Sequence, residues 1–171
     1  VAFSPDGALL ASCGDDSSVR FWNTSDGSEA ALLAEHTAEV NAVAFNHDGT
    51  LLASRGQDKK IILWDVEKFQ AVAGMAKHKD AISGMKFSPV ANRLASCSWD
   101  SQIIVWKLPS GESDKMLKGH KGALLCIALS EDGKFIASGG WDKLVKLWET
   151  GNANNCGTFS GHPNRIGARA F

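Results

Sequence analysis

The sequence predicts an all-β fold, a β-propeller of four-stranded antiparallel blades built from about four 42-residue repeats. Three observations carry that prediction. The first is a period: Trp22, Trp64, Trp106 and Trp148 are spaced by 42 residues, as are His36, His78, His120 and His162, and Asp16, Asp58, Asp100 and Asp142. Ser12, Ser54, Ser96 and Ser138 keep the same step, and so do Phe3, Phe45, Phe87, Leu129 and Phe171. A fixed period of this size marks a repeat architecture. The second observation is that every period holds short apolar runs of strand length. The third is that tight polar turns separate them.

Within one repeat the elements follow in order. Val40–Phe45 reads as a first strand, and Asn46–Gly49 as a turn in which Gly49 can take positive φ. Leu51–Ser54 is a second strand, Gly56–Lys59 a polar turn, Ile61–Trp64 a third strand, and Gln70–Met75 a weaker fourth ahead of His78. Four short strands with apolar residues on both faces cannot bury themselves as a lone sheet. Stacked on identical neighbours, they can. The columns place an incomplete blade over residues 1–33, blades over 34–76, 77–118 and 119–160, and the first strand of another blade over 161–171. The chain has no initiator Met and opens in mid-pattern, so it reads as a fragment.

A chain 44% hydrophobic and 22% charged is ordinary for a soluble globular protein. Its net charge of −1 offers no long-range attraction to polyanions, so nucleic acid is expected to bind only weakly or indirectly, and a membrane not at all. The sum hides a gradient, acidic before residue 76 and basic after it. The four cysteines show no metal-ligand spacing, and no metal or cofactor is expected. Cys13 and Cys97 share a repeat position with Gly139, as small buried residues do, which points to a reducing compartment, cytoplasmic and/or nuclear. No apolar run is long enough to span a membrane.

Gly119-His120, Phe87-Ser88-Pro89 and Phe3-Ser-Pro-Asp-Gly7, an Ala-Ser pair followed after three residues by Asp58, Asp100 or Asp142, and a strand ending in Trp recur together. In this combination the chain resembles the WD-repeat β-propeller family over nearly its whole length. Seven blades is the usual ring there, which implies an open arc of a seven-blade ring. The resemblance also implies hydrogen-bonded tetrads: His36–Ser54–Asp58–Trp64, His78–Ser96–Asp100–Trp106 and His120–Ser138–Asp142–Trp148. A buried indole N–H needs an acceptor, and a buried carboxylate tolerates burial only when paired. Ser, His and Asp in one neighbourhood also suggest a hydrolase triad. Three copies, each tied to a Trp, read as architecture instead, so no catalytic residue is assigned and no enzyme is expected.

Trp99 and Trp141 stand off the Trp column, where the first two repeats have Asp15 and Gln57. The resemblance places this position on the narrow face of the propeller. It adds Glu39 and Asn41, Ala81 and Ser83, Ala123 and Leu125, and Arg165 and Gly167. These residues form the candidate partner-binding surface. In one reading Trp99 and Trp141 clamp an apolar side chain of a peptide, with Asp15 and Glu39 favouring basic residues nearby. In the other, the two rings pack between blades and cap the fold. Three functions stay open: a protein-interaction scaffold in a multiprotein complex, a ribonucleoprotein-associated propeller, and the sensor part of a larger ATPase or enzyme.

Overall fold

The computed structural model describes residues 1–167, so the repeat positions of Arg169 and Phe171 lie outside the described residues. Sixteen strands form four antiparallel sheets, each a meander in which neighbours in sequence are neighbours in the sheet. The first sheet holds β1 (Ala2–Phe3), β2 (Leu9–Cys13), β3 (Val19–Asn23) and β4 (Glu29–Leu33). The second holds β5 (Val40–Phe45), β6 (Leu51–Gly56), β7 (Ile61–Asp65) and β8 (Gln70–Met75). The third holds β9 (Ile82–Phe87), β10 (Arg93–Ser98), β11 (Gln102–Lys107) and β12 (Ser113–Lys118). The fourth holds β13 (Leu124–Leu129), β14 (Phe135–Gly140), β15 (Val145–Glu149) and β16 (Asn155–Phe159).

One segment differs from the blade boundaries expected above. Residues 1–33, expected as an incomplete blade, carry all four strands, with β1 reduced to two residues that pair Ala2 with Ala11 and Phe3 with Leu10. The reason is local, because a meander needs only its neighbouring strand to form. Of residues 161–171, expected to hold the first strand of another blade, the positions that repeat β5 lie mostly outside the described residues. Residues 161–167 are tied down by a backbone bond from Ile166 N–H to Gly140 O at 2.9 Å. Val40 N–H makes the equivalent bond to Gly14 O at 3.0 Å.

The chain divides into two compact units, one of Val1–Lys77 with Pro109–Gly111, the other of His78–Leu108 with Glu112 onward. In the first, Ala11, Val19 and Phe21 of one sheet pack on Val43, Leu52, Ile62 and Trp64 of the next. In the second, Ala95, Ile103, Val105 and Leu117 pack on Leu124, Ile127, Ile136 and Trp148. Burial of such aliphatic and aromatic side chains, at about 1.5–3 kcal/mol each, supplies the main drive for stacking.

Two bulges recur and shape the edges. The pairing of the third and fourth strands slips at Phe21/Trp22, Leu63/Trp64, Val105/Trp106 and Leu147/Trp148, directly beside each column Trp. Near the start of the first strand, Asn41, Ser83 and Leu125 are the extra residues in the pairings of β5, β9 and β13. A bulge bends its strand and re-aims the side chain it carries.

Candidate functional site

One turn, between the second and third strands, is built the same way four times. In Gly14–Ser17 the N–H of Ser17 bonds Gly14 O at 3.2 Å, and Gly56, Ser98 and Gly140 accept the same bond from Lys59, Ser101 and Lys143. The fourth residue takes left-handed backbone each time, with φ of 64° at Ser17, 63° at Lys59, 66° at Ser101 and 64° at Lys143. A tight turn closed by a left-handed residue is a standard three-residue hairpin. The Asp at the third place stabilises it, since Asp16, Asp58, Asp100 and Asp142 each accept from the backbone N–H two residues on. The second place carries Asp15, Gln57, Trp99 and Trp141, and the geometry asks nothing of those side chains.

In three turns the Asp also reaches an imidazole. His36 Nδ1 lies 2.9 Å from Asp58 Oδ2, His78 Nδ1 2.9 Å from Asp100 Oδ2, and His120 Nδ1 2.7 Å from Asp142 Oδ2. The other ring nitrogen of each lies 2.8 Å from Ser54, Ser96 or Ser138 Oγ, and that oxygen accepts the indole N–H of Trp64, Trp106 or Trp148 at 2.8 Å. In the neutral tautomer, which burial favours, Nδ1 donates to the carboxylate and Nε2 accepts from the serine hydroxyl. Burial pushes the pKa of His78 and His120 below the ordinary value, only partly opposed by Asp100 and Asp142. Burial works against the Asp100 carboxylate too, but hydrogen bonds from Lys79 N–H, His78 and Gln102 N–H together outweigh it and hold its pKa low. At Asp142 burial is likewise outweighed, by bonds from His120, Lys121 N–H and Leu144 N–H.

Each serine of a tetrad is buried and its hydroxyl is engaged by both its Trp and its His, so the Ser–His–Asp sets act as struts. The first blade shows the contrast. Trp22 N–H reaches Ser12 Oγ at 2.8 Å, but Asp16 turns to Ser18 and Arg20 and its side chain is 56% exposed, against 4%, 5% and 8% for Asp58, Asp100 and Asp142. Among the described residues no cluster of His, Cys, Asp and Glu could hold a metal. Nor does a disulfide link any of the four cysteines.

The candidate partner-binding residues separate by unit. In the first unit Asp15, Asn41 and Gln57 are exposed, and the Gln57 amide donates to the half-buried Glu39 carboxylate. In the second, Trp99 and Trp141 are 52% and 55% exposed, whereas the column residues Trp106 and Trp148 are each 2% exposed. The backbone N–H of Trp99 bonds Ala81 O, and that of Trp141 bonds Ala123 O, both at 2.9 Å. Arg165, mapped to the same surface, lays its guanidinium over the Trp141 ring at 5.2 Å from the centroid.

The Ser83 hydroxyl donates to Leu124 O on the adjacent blade at 2.6 Å, so this candidate residue also joins two blades of the unit. Leu125 and Ala123 are half-buried. Sequence reasoning also passed over the position after each tetrad histidine, held by Thr37, Lys79 and Lys121. Their N–H groups bond the tetrad carboxylates at 3.2, 2.9 and 3.1 Å. The signal was in the columns: two lysines stand in the same two repeats that carry the off-column tryptophans.

Comparison with known proteins agrees with this architecture. The family described as WD40, WD domain, G-beta repeat, matches residues 1–23, 27–65, 70–107 and 111–149. No curated protein sequence matches. A solved structure titled "Structure of U3-55K" superposes with a TM-score of 0.84 at 26% identity, over 96% of this chain and 52% of that one. The chain thus spans about half the length of the structure it resembles.

Proposed function

Because the chain belongs to the WD domain, G-beta repeat family, we propose that it is a non-catalytic scaffold that holds a partner peptide at the turns carrying Trp99 and Trp141, within a multiprotein complex. Propellers of this family generally bind protein partners and generally do no chemistry of their own. The observation that carries the finer reading is the exposure of the two indoles, 52% and 55%, at a turn position the fold fills equally well with Asp15 and Gln57. Exposed tryptophans are the most enriched residue at binding hot spots, since a rigid ring offers large contact area at small entropic cost. Ala81 and Ala123, whose carbonyls hold the two turns, carry small side chains. The absence of any disulfide among the described residues fits a cytoplasmic or nuclear site of action.

The test is peptide selection. Random peptides displayed on phage are selected on the chain, and the best binders are measured against wild type and Trp99→Ala/Trp141→Ala. Binding lost with the melting temperature unchanged supports the reading. Binding retained, or a double variant that no longer melts like wild type, overturns it.

A further inference from the structure

Resting on that reading, the structure assigns the peptide a chemistry: we infer that the segment reaching Trp99 and Trp141 carries an apolar anchor flanked by Asp or Glu. Each of the two turns is bordered by exposed cations. Lys79 follows His78 and bonds the Asp100 carboxylate through its N–H, one residue from Trp99. Lys121 does the same for Asp142 beside Trp141. Lys143 closes the Trp141 turn in left-handed backbone, and Arg165 lies over the Trp141 ring. The strut uses only the backbone at the position after each histidine, and Thr37 performs that task in the second blade. The bond to the carboxylate therefore does not require a lysine side chain at this position.

The columns sharpen the point. Where the first two repeats place Asp15 or Gln57 at the exposed turn position, the next two place Trp. Where the second repeat has Glu39, the later ones have Ala81, Ala123 and then Arg165. The position after the tetrad histidine changes in step, from Thr37 to Lys79 and Lys121, and Asp80 is the acid that stays beside the Trp99 turn, so the basic character is strongest around Trp141. An exposed cation beside an apolar contact selects a carboxylate at close range, which gives specificity more than affinity.

A single-stranded nucleic acid is the competing occupant, because bases stack on aromatic rings between cations. Arg165 disfavours it, because it already covers a face of Trp141 on which a base would stack.

The same phage selection decides the matter, read out on wild type, on Trp99→Ala/Trp141→Ala and on Lys121→Glu/Lys143→Glu, with a single-stranded oligonucleotide measured alongside. The expected binders hold Trp, Phe or Leu between acidic residues, weaken as salt is raised, and lose about five- to tenfold in affinity to the charge-reversed variant. Binders that need the tryptophans but show no acidic enrichment and no loss on charge reversal overturn this inference and leave the scaffold reading standing. Binders indifferent to the tryptophans overturn both. An oligonucleotide that binds more tightly than any selected peptide, and depends on the same lysines, also overturns it.

Discussion

His120 Nδ1 stands 2.7 Å from Asp142 Oδ2, the shortest of the three imidazole–carboxylate contacts, and the turn that presents Trp141 is held by that contact. The strut therefore joins the buried Trp148 to the surface through an unbroken line of donors and acceptors, from Trp148 N–H through Ser138 and His120 to Asp142.

Removing the carboxylate should unfold that line from its outer end. Asp100→Ala and Asp142→Ala are each expected to cost about 1–3 kcal/mol, because a buried imidazole N–H loses its acceptor. Asp16→Ala serves as the internal control. Its carboxylate is exposed and joined to no imidazole, so a loss of under about 0.5 kcal/mol is expected. Urea denaturation of the three variants checks this, and equal losses at all three positions would refute the strut.

Stability should fall as the medium is acidified, in two stages. His78 and His120 have pKa values below the ordinary 6.5 in the folded chain, so the unfolded chain takes up protons first. Their contribution is complete above pH 6.5 and declines as pH drops from there toward the folded values. Asp100 and Asp142, also lowered, add a second decline below their ordinary 3.8. Melting curves at stepped pH values are the measurement. A His78→Gln/His120→Gln variant should lose the first stage and keep the second.

At Gly140 the chain has no room for a side chain. A Cβ there would meet Ala123 O and lie 3.0 Å from Leu124 Cα, both backbone atoms that cannot swing aside. Gly140→Ala should cost about 1–3 kcal/mol through overpacking. At Gly151, where a Cβ meets nothing within 4 Å, the same change should be near neutral. Thermal melts of the pair give the comparison.

Ser83→Ala should weaken the joint between the third and fourth blades by about 1 kcal/mol, since Leu124 O loses its 2.6 Å donor. Because the hydroxyl faces the neighbouring blade, peptide binding by the folded variant should not change. A variant of normal stability that no longer binds would place Ser83 in the site instead.

The sequence columns made the blades and struts legible because both are repeated: a residue that recurs every 42 positions at a buried place announces its neighbours. Ser83 gave no sign of its bond to Leu124 O, for the opposite reason. It stands in a bulge where Asn41 and Leu125 occupy the other copies, and three unlike residues carry no common partner to infer. Arg165 over Trp141 was equally hidden, since that contact depends on how residues 161–167 run past β14, which Ile166 N–H fixes through Gly140 O.

The hairpin that closes between the second and third strands works as a socket with interchangeable fittings. Left-handed backbone at its last residue and an aspartate at its centre settle its shape, and an acid, an amide and two indoles occupy the outward place on the same frame. Exchanging one fitting changes the chemistry shown at the surface while the turn and the sheets beneath keep their shape.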